Sequence, residues 1–529
     1  MRGPVLGRLA ARLVWKGVAL ATAGFAVLAA SSVAGYVAAY PTTISRARLD
    51  AQIRGNLGFQ AIYGRSYGID TIGGFAAWRV GGLTVLVAAV WGALSATRLL
   101  RGEEEAGRVE LLLAGPTTAR SWFDHVVAVL LGGQAVAAVG LWFGLVVTGV
   151  PVAGAGLLAV AVGTSGFVGV GCGALSAQCL PTRRRAAVWA GGALGGAYLF
   201  RVLADGSDSL RSLRWVTPFG WTEEIRPFAG DRFWAVGVPL ALMAMSLFVA
   251  RWLAGHRDLQ GAVVSDHDSG PARETGVDGI GVLTRRILWS SLRGWALGLG
   301  AFAGVMGLLA RDVADFARRS DGYADVARRL GISDPASPAA FVGLSFSFLA
   351  VLSVAFVASQ VIAARTDEAD GRIDLLLSQP LGRRRWLWTR TAHVGVGSVV
   401  LALVMAATTW SGVEVRGGGL TPAQALAAGM NLLPLAVLVA GVGAAAHGVV
   451  PRATAPIAIG FVVVGYLVEL VGSLLRAPSW VLDLSPFHHL APVPAAGWRI
   501  GPTLIFVAVG LLGMVVGTTA FARRDLVGA

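Results

Sequence analysis

Lysine is all but missing from this chain of 529 residues: Lys16 is the only one, and arginine supplies the rest of the 44 basic residues. A P-loop, G-x-x-x-x-G-K-[ST], needs a lysine that reaches the nucleotide phosphates. Lys16 follows Trp15 outside any such glycine frame, so the chain carries no P-loop. LLGGQ at 130–134 lies inside an apolar run and reads as a chance match to an ATPase signature. Cysteine is nearly as scarce, with Cys172 and Cys179 alone. Seven residues along a helix is about two turns, roughly 10.5 Å, too far for a disulfide, and no metal-ligand spacing is present. Neither H-E-x-x-H nor G-x-S-x-G occurs, which leaves no catalytic constellation and no cofactor site. Charge is scarce too: 14% of residues are charged, against about a quarter in soluble domains. These shortages exclude a soluble enzyme, a disordered chain and a disulfide scaffold.

What is present is apolar. Hydrophobic residues make up 55% of the chain and mean hydropathy is +0.66, the composition of an integral membrane protein. The 72 glycines suit close helix packing in lipid. A net charge of +14 can signal nucleic acid, but the charges sit in short segments between apolar runs, which is a topology signal. No nucleic-acid partner is expected. Apolar runs long enough to span fall near 16–40, 75–97, 125–148, 154–177, 187–204 and 234–254. A polar stretch at about 255–285 follows, containing SDHDSGPARETG, and then six more runs near 290–310, 340–364, 391–412, 425–448, 455–474 and 501–521. The N-terminus is basic (Arg2, Arg8, Arg12, Lys16), and the apolar run behind it ends in no clear A-x-A site, so it reads as a retained first span. An even number of spans puts both termini on one face. That face carries the larger excess of arginine, although Arg318, Arg319, Arg328 and Arg329 sit in an outer loop. The expectation is a multi-pass protein of the plasma (inner) membrane with cytoplasmic termini.

The two sets of six repeat each other. EEEAGRVELLLAGPTTARSW at 103–122 matches DEADGRIDLLLSQPLGRRRW at 367–386 at nine of twenty positions, where chance gives roughly one or two. The matches include Glu104/Glu368, Gly107/Gly371, Arg108/Arg372, Leu111–Leu113 with Leu375–Leu377, Pro116/Pro380 and Arg120/Arg384. Pro181 pairs with Pro451, and WVTPFGW (215–221) with DLSPFHH (483–489). Each copy of the long motif follows the second span of its set. The predicted fold class is all-α: about twelve transmembrane helices in two pseudo-two-fold-related six-helix halves. A leucine triplet is too short to span and too apolar for bare water. An amphipathic turn ended by Pro116 or Pro380 suits docking into a groove on a two-fold partner; the alternative is a helix lying on lipid.

The E-x-x-G-R-[VI]-[ED]-L-L-L motif, with its following proline and arginine, resembles that of the ABC-2 type exporter permeases. The two-half length resembles their actinobacterial antibiotic and multidrug exporters. The resemblance implies that Gly107–Arg120 and Gly371–Arg384 are coupling segments docking on a separate ABC nucleotide-binding subunit, a homodimer, which would hold ATP and Mg. It further implies an amphipathic elbow helix at 1–15, a first transmembrane half at 16–254, a cytoplasmic linker with a second elbow at 255–291, and a second half at 292–529. RRILWSS at 285–291 suits an interface. The two Pro-Phe segments would be short re-entrant helices near the outer face, with His488 and His489 replacing Gly220 and Trp221 in the second.

Ionisable groups in spans cost roughly 2.5–3.5 kcal/mol at the membrane centre. Aligned through Tyr198/Tyr466, Arg201 and Glu469 take equivalent places in the fifth spans. They are expected to face a cavity between the halves and to influence each other as a gate, the alternative being solvation at the outer interface. Trp91, Phe346 and Phe348, together with Phe200 and Phe461, are candidates for an apolar substrate surface. Arg79 beside Trp78 reads as snorkelling. Gln134, Gln360, Asn431 and His447 read as interhelical bonds, and GGALGG at 191–196 as a close helix approach. The expected function is the permease subunit of an ATP-driven exporter of hydrophobic or amphiphilic compounds. The competing reading is an ion-driven secondary transporter with Glu469 as proton carrier.

Overall fold

A computed structural model of the chain describes residues 3–54, 60, 63–206, 211–259, 261–264, 279–318, 334, 336–474 and 478–526. The chain is 82% helical, with no strand among the described residues. Among the described residues, twelve helices are long and apolar enough to cross a membrane: Val5–Ala39, Ile72–Glu105, Ala119–Val146, Val152–Cys179, Arg183–Asp205 and Phe233–Ala254, then Ile280–Asp315, Pro338–Ala369, Arg383–Val415, Pro422–Val449, Pro451–Glu469 and Ile500–Arg523. A membrane leaves no water for unpaired backbone groups, and a helix satisfies them within one segment. Span starts are set by side-chain caps. Thr71, Thr118, Thr182 and Ser337 each accept from the amide three residues on. Thr421 forms a reciprocal box with Gln424, followed by Pro422 in the first turn.

Two compact units divide the chain, residues 1–271 and 272–529. In the first, the fourth span packs against the second and the sixth, and the first span packs along the third. In the second, the first span again packs along the third, and the fourth lies chiefly against the sixth. Glycine permits these approaches. A methyl group on Gly169 would sit 2.0 Å from the Ala89 carbonyl oxygen, and one on Gly517 would sit 2.2 Å from that of Ala444. The GGALGG stretch is different: a methyl group on Gly191, Gly192, Gly195 or Gly196 meets nothing within 4 Å. Within its unit that helix makes no close approach there, because its neighbours lie on another face.

The segments expected as elbow helices run into the spans without a break. Gly3–Ala39 and Ile280–Arg318 are each one continuous helix, so the basic, Trp-containing first turns are rigid extensions of the spans. SDHDSGPARETG and the arginines at 319, 328 and 329 lie outside the described residues.

Candidate functional site

The repeated motif folds the same way in both units. In the first, the second span widens into a π-turn at Arg98–Gly102 and stops after Glu105. Gly107 then adopts φ +70°, and a six-residue helix Arg108–Leu113 begins. In the second unit Gly371 adopts φ +71° ahead of Arg372–Leu377. This left-handed conformation turns the chain sharply, and glycine adopts it without a Cβ penalty.

Each short helix is anchored by one side chain and presents another. Val109 and Ile373 are only 3% and 1% exposed. Val109 belongs to a core with Leu6, Ala10, Trp122 and Phe123; Ile373 belongs to one with Ala364, Trp386, Leu387 and Phe521. Two residues on, Leu111 and Leu375 are 78% and 75% exposed. Leu112, Leu113, Leu376 and Leu377 are half-buried, while Pro116, Pro380, Arg120 and Arg384 are exposed. The triplet is thus split into one free leucine and two that lean on the unit. Arg108 grips Glu103 with both arms, at 2.6 and 2.9 Å, and this hydrogen bond holds its guanidinium above its ordinary range. Arg372 binds Asp367 at 3.1 Å and Asp370 at 3.0 Å. Both arginines stay on the surface with their helices.

Glu104 and Glu368, grouped by sequence with the surface residues of the motif, are buried at 2% and 3% exposure. Each is clamped by an arginine just past the sixth span. Arg257 donates to Glu104 through Nη1 at 2.7 Å and Nη2 at 2.5 Å, and its Nε donates to Gln178 Oε1 at the end of the fourth span, 2.7 Å away. Arg524 donates to Glu368 at 2.6 and 2.8 Å, and to the His447 and Gly448 carbonyls of its own fourth span at 3.0 and 3.1 Å. A second arginine stands one turn before each carboxylate: Arg101 at 3.5 Å and Arg365 at 3.7 Å. Arg101 also donates to the Pro181 carbonyl at 2.9 and 2.5 Å. In the second unit the Nε2 of His447 adds a contact at 3.4 Å. Arg257 and Arg524 went unnoticed in the sequence, although a signal exists: Arg257-Asp258-Leu259 and Arg524-Asp525-Leu526 are a further repeat.

At the opposite end of each unit, the ionisable residue of the fifth span finds its partner in the following segment. Arg201, fully buried, binds Glu223 at 2.6 Å, approaches Asp205 at 3.7 Å and covers the ring of Tyr198. Glu469 meets His488 at 3.1 Å. Both sites rest on the same edge-to-face contact, Tyr198 on Phe219 and Tyr466 on Phe487. The equivalent places therefore carry opposite charges, and each has a partner inside its own unit. Short helices Pro218–Glu223 and Ser479–Leu482 accompany the Pro-Phe segments.

Two polar residues inside spans bond between helices, Gln134 to the Ala88 carbonyl and Gln360 to Ser291 Oγ, whereas Asn431 bonds to the Ala491 carbonyl in the segment before the last span. Each aromatic candidate has its own surroundings within its unit. Trp91 packs beside Gly17 and Gly133 of the first and third spans. Phe346 is core, and Phe348 is partly exposed against Tyr466 and Phe302. Arg79 is exposed over the ring of Tyr63.

Twelve membrane-length helices among the described residues define a multi-pass membrane protein. Comparison with known proteins agrees. Residues 281–522 match the family model described as multidrug efflux system permease Rv1217c, C-terminal domain. The chain is also 31% identical over 506 residues to the multidrug efflux system permease protein Rv1217c of Mycobacterium tuberculosis (strain ATCC 25618 / H37Rv), covering 94% of this chain and 90% of that protein. The chain belongs to this family of efflux permeases.

Proposed function

We propose that the chain is the permease subunit of an ATP-driven ABC exporter, moving hydrophobic or amphiphilic compounds out of the cell. The observation that carries this reading is the duplicated short helix, held by a buried Val109 or Ile373 and presenting Leu111 or Leu375 to a partner. A groove on a nucleotide-binding subunit would take the free leucine of each copy, and two equivalent copies suit a homodimer of such subunits. ATP and Mg would bind on that partner, since this chain has no P-loop. The two docking ends would face the cytoplasm with both termini, as the arginine excess on that face favours. The relative's name supports multidrug compounds as cargo.

Tagged chain, purified from its own membranes, is expected to bring down an ABC ATPase and to hydrolyse ATP only in its company. A chain that binds no ATPase, yet moves drug under a proton gradient, would refute the proposal and direct attention to Glu469 and His488.

A further inference from the structure

Below each short helix, one buried carboxylate joins three helix ends. Glu104 belongs to the extension of the second span, Arg257 follows the sixth, and Gln178 with the Pro181 carbonyl closes the fourth. Glu368, Arg524 and the His447–Gly448 carbonyls repeat the plan. The short helix starts four residues past each carboxylate, directly after a glycine turn. The Val109 or Ile373 anchor, the Arg108–Glu103 or Arg372–Asp367 pair and the glycine turn connect it to the end of the second span, and the clamp connects that end to the sixth.

The clamps are charged rather than apolar, and both of their charges are withdrawn from water. A buried ion pair is a poor device for stability, because desolvation cancels much of its attraction. Its advantage is directional: a two-armed guanidinium–carboxylate pair fixes orientation as well as distance. The same clamp occurs in both units, at carboxylate–arginine separations of 153 and 156 residues. Gene duplication placed it twice, and the surrounding contacts differ: Gln178 in one unit, backbone carbonyls and His447 in the other.

We propose that Glu104–Arg257 and Glu368–Arg524 are the transmission links of the transporter. They act as positioning residues that carry displacement of the docking helix to the sixth span of the same unit. This rests on the ATPase-docking reading above. With the link intact, engagement of ATP by the partner moves the short helix and the sixth span together. With it cut, the ATPase still docks on Leu111 and Leu375 and still hydrolyses ATP, but the sixth span does not follow.

The test uses full-length chain co-purified with its ATPase in nanodiscs, with Cys172 and Cys179 replaced by alanine. A spin label is attached at Val249→Cys on the sixth span of the first unit. Mg-ATP with vanadate is expected to change the label's spectrum, and Arg257→Ala to reduce that change at least threefold while ATPase co-purification stays within twofold of the parent. Arg257→Ala removes the two-armed partner of buried Glu104, with Arg101 at 3.5 Å still beside it, and so endangers insertion. Glu104→Gln/Arg257→Gln removes both charges together, and it carries the same expectation. Glu368→Gln/Arg524→Gln with a label at Val516→Cys repeats the measurement in the second unit. A full-sized spectral change in the doubly neutral variants would overturn the link. Absence of any ATPase on the parent chain would instead overturn the docking reading, before the link is reached.

Discussion

Replacing the two free leucines, Leu111→Ser with Leu375→Ser, is expected to break ATPase binding and spare the permease. Both side chains are about three-quarters exposed, so the isolated chain gains little from them, and surface changes of this kind fall within about 0.5 kcal/mol. Seated in a partner groove, each leucine would be worth about 1.5–3 kcal/mol of apolar burial. Ordering of side chains on association offsets part of this, at about 0.5–1.5 kcal/mol per side chain. A net loss of about 1–2 kcal/mol per helix follows, or roughly 5- to 30-fold in Kd, and the two losses multiply where one ATPase dimer holds both helices. The measurement is titration of fluorescent ATPase onto chain in nanodiscs, beside a thermal unfolding curve of the chain alone. Ile373→Ala is the contrasting control: it empties a buried site and should cost the permease itself about 2–5 kcal/mol. The docking argument fails if the double serine variant binds within twofold of the parent. It fails equally if that variant loses as much thermal stability as Ile373→Ala, because the leucines would then be structural.

Gly107→Ala meets no atom within 4 Å, so its cost is purely conformational, about 1–2 kcal/mol for a left-handed residue; it should lower ATPase affinity more than the melting temperature of the chain. Arg201→Met leaves buried Asp205 and half-buried Glu223 without their main counter-charge, a loss of about 3–5 kcal/mol visible as poor recovery and early unfolding in detergent. Glu469→Gln changes a partly exposed pair and should shift the same unfolding curve by no more than about 1 kcal/mol. Gly195→Ala, open on all sides, should leave stability unchanged or raise it by up to about 1 kcal/mol, whereas Gly169→Ala drives a methyl into the Ala89 carbonyl and should visibly lower the unfolding temperature.

Much of the fold was legible because a bilayer makes local demands. The fourth span, expected at 154–177, occupies Val152–Cys179, and the sixth, expected at 234–254, occupies Phe233–Ala254. The repeat was legible as identity, and its invariant glycine as a turn. The use of its residues was not. Glu104 and Arg108 read alike as polar members of a surface motif, yet one is buried and the other lies outside. The decisive difference is Arg257, 153 residues away, in a stretch too short and too polar to register as an element. GGALGG matched a packing pattern, but which face of a helix meets a neighbour is not written in spacing alone.

The sequence by itself determined the class: a membrane chain of twelve spans with one polar-apolar motif repeated between spans. Lipid enforces this, since each span must satisfy its own backbone bonds and so declares itself within some twenty residues. The tertiary structure alone decided which charges meet. Arg201 has Glu223, Glu469 has His488, and Glu104 and Glu368 are each held by an arginine from the far end of their own unit. A charge pair depends on distance and on the exclusion of water, and both are set only when helices far apart in the chain have packed.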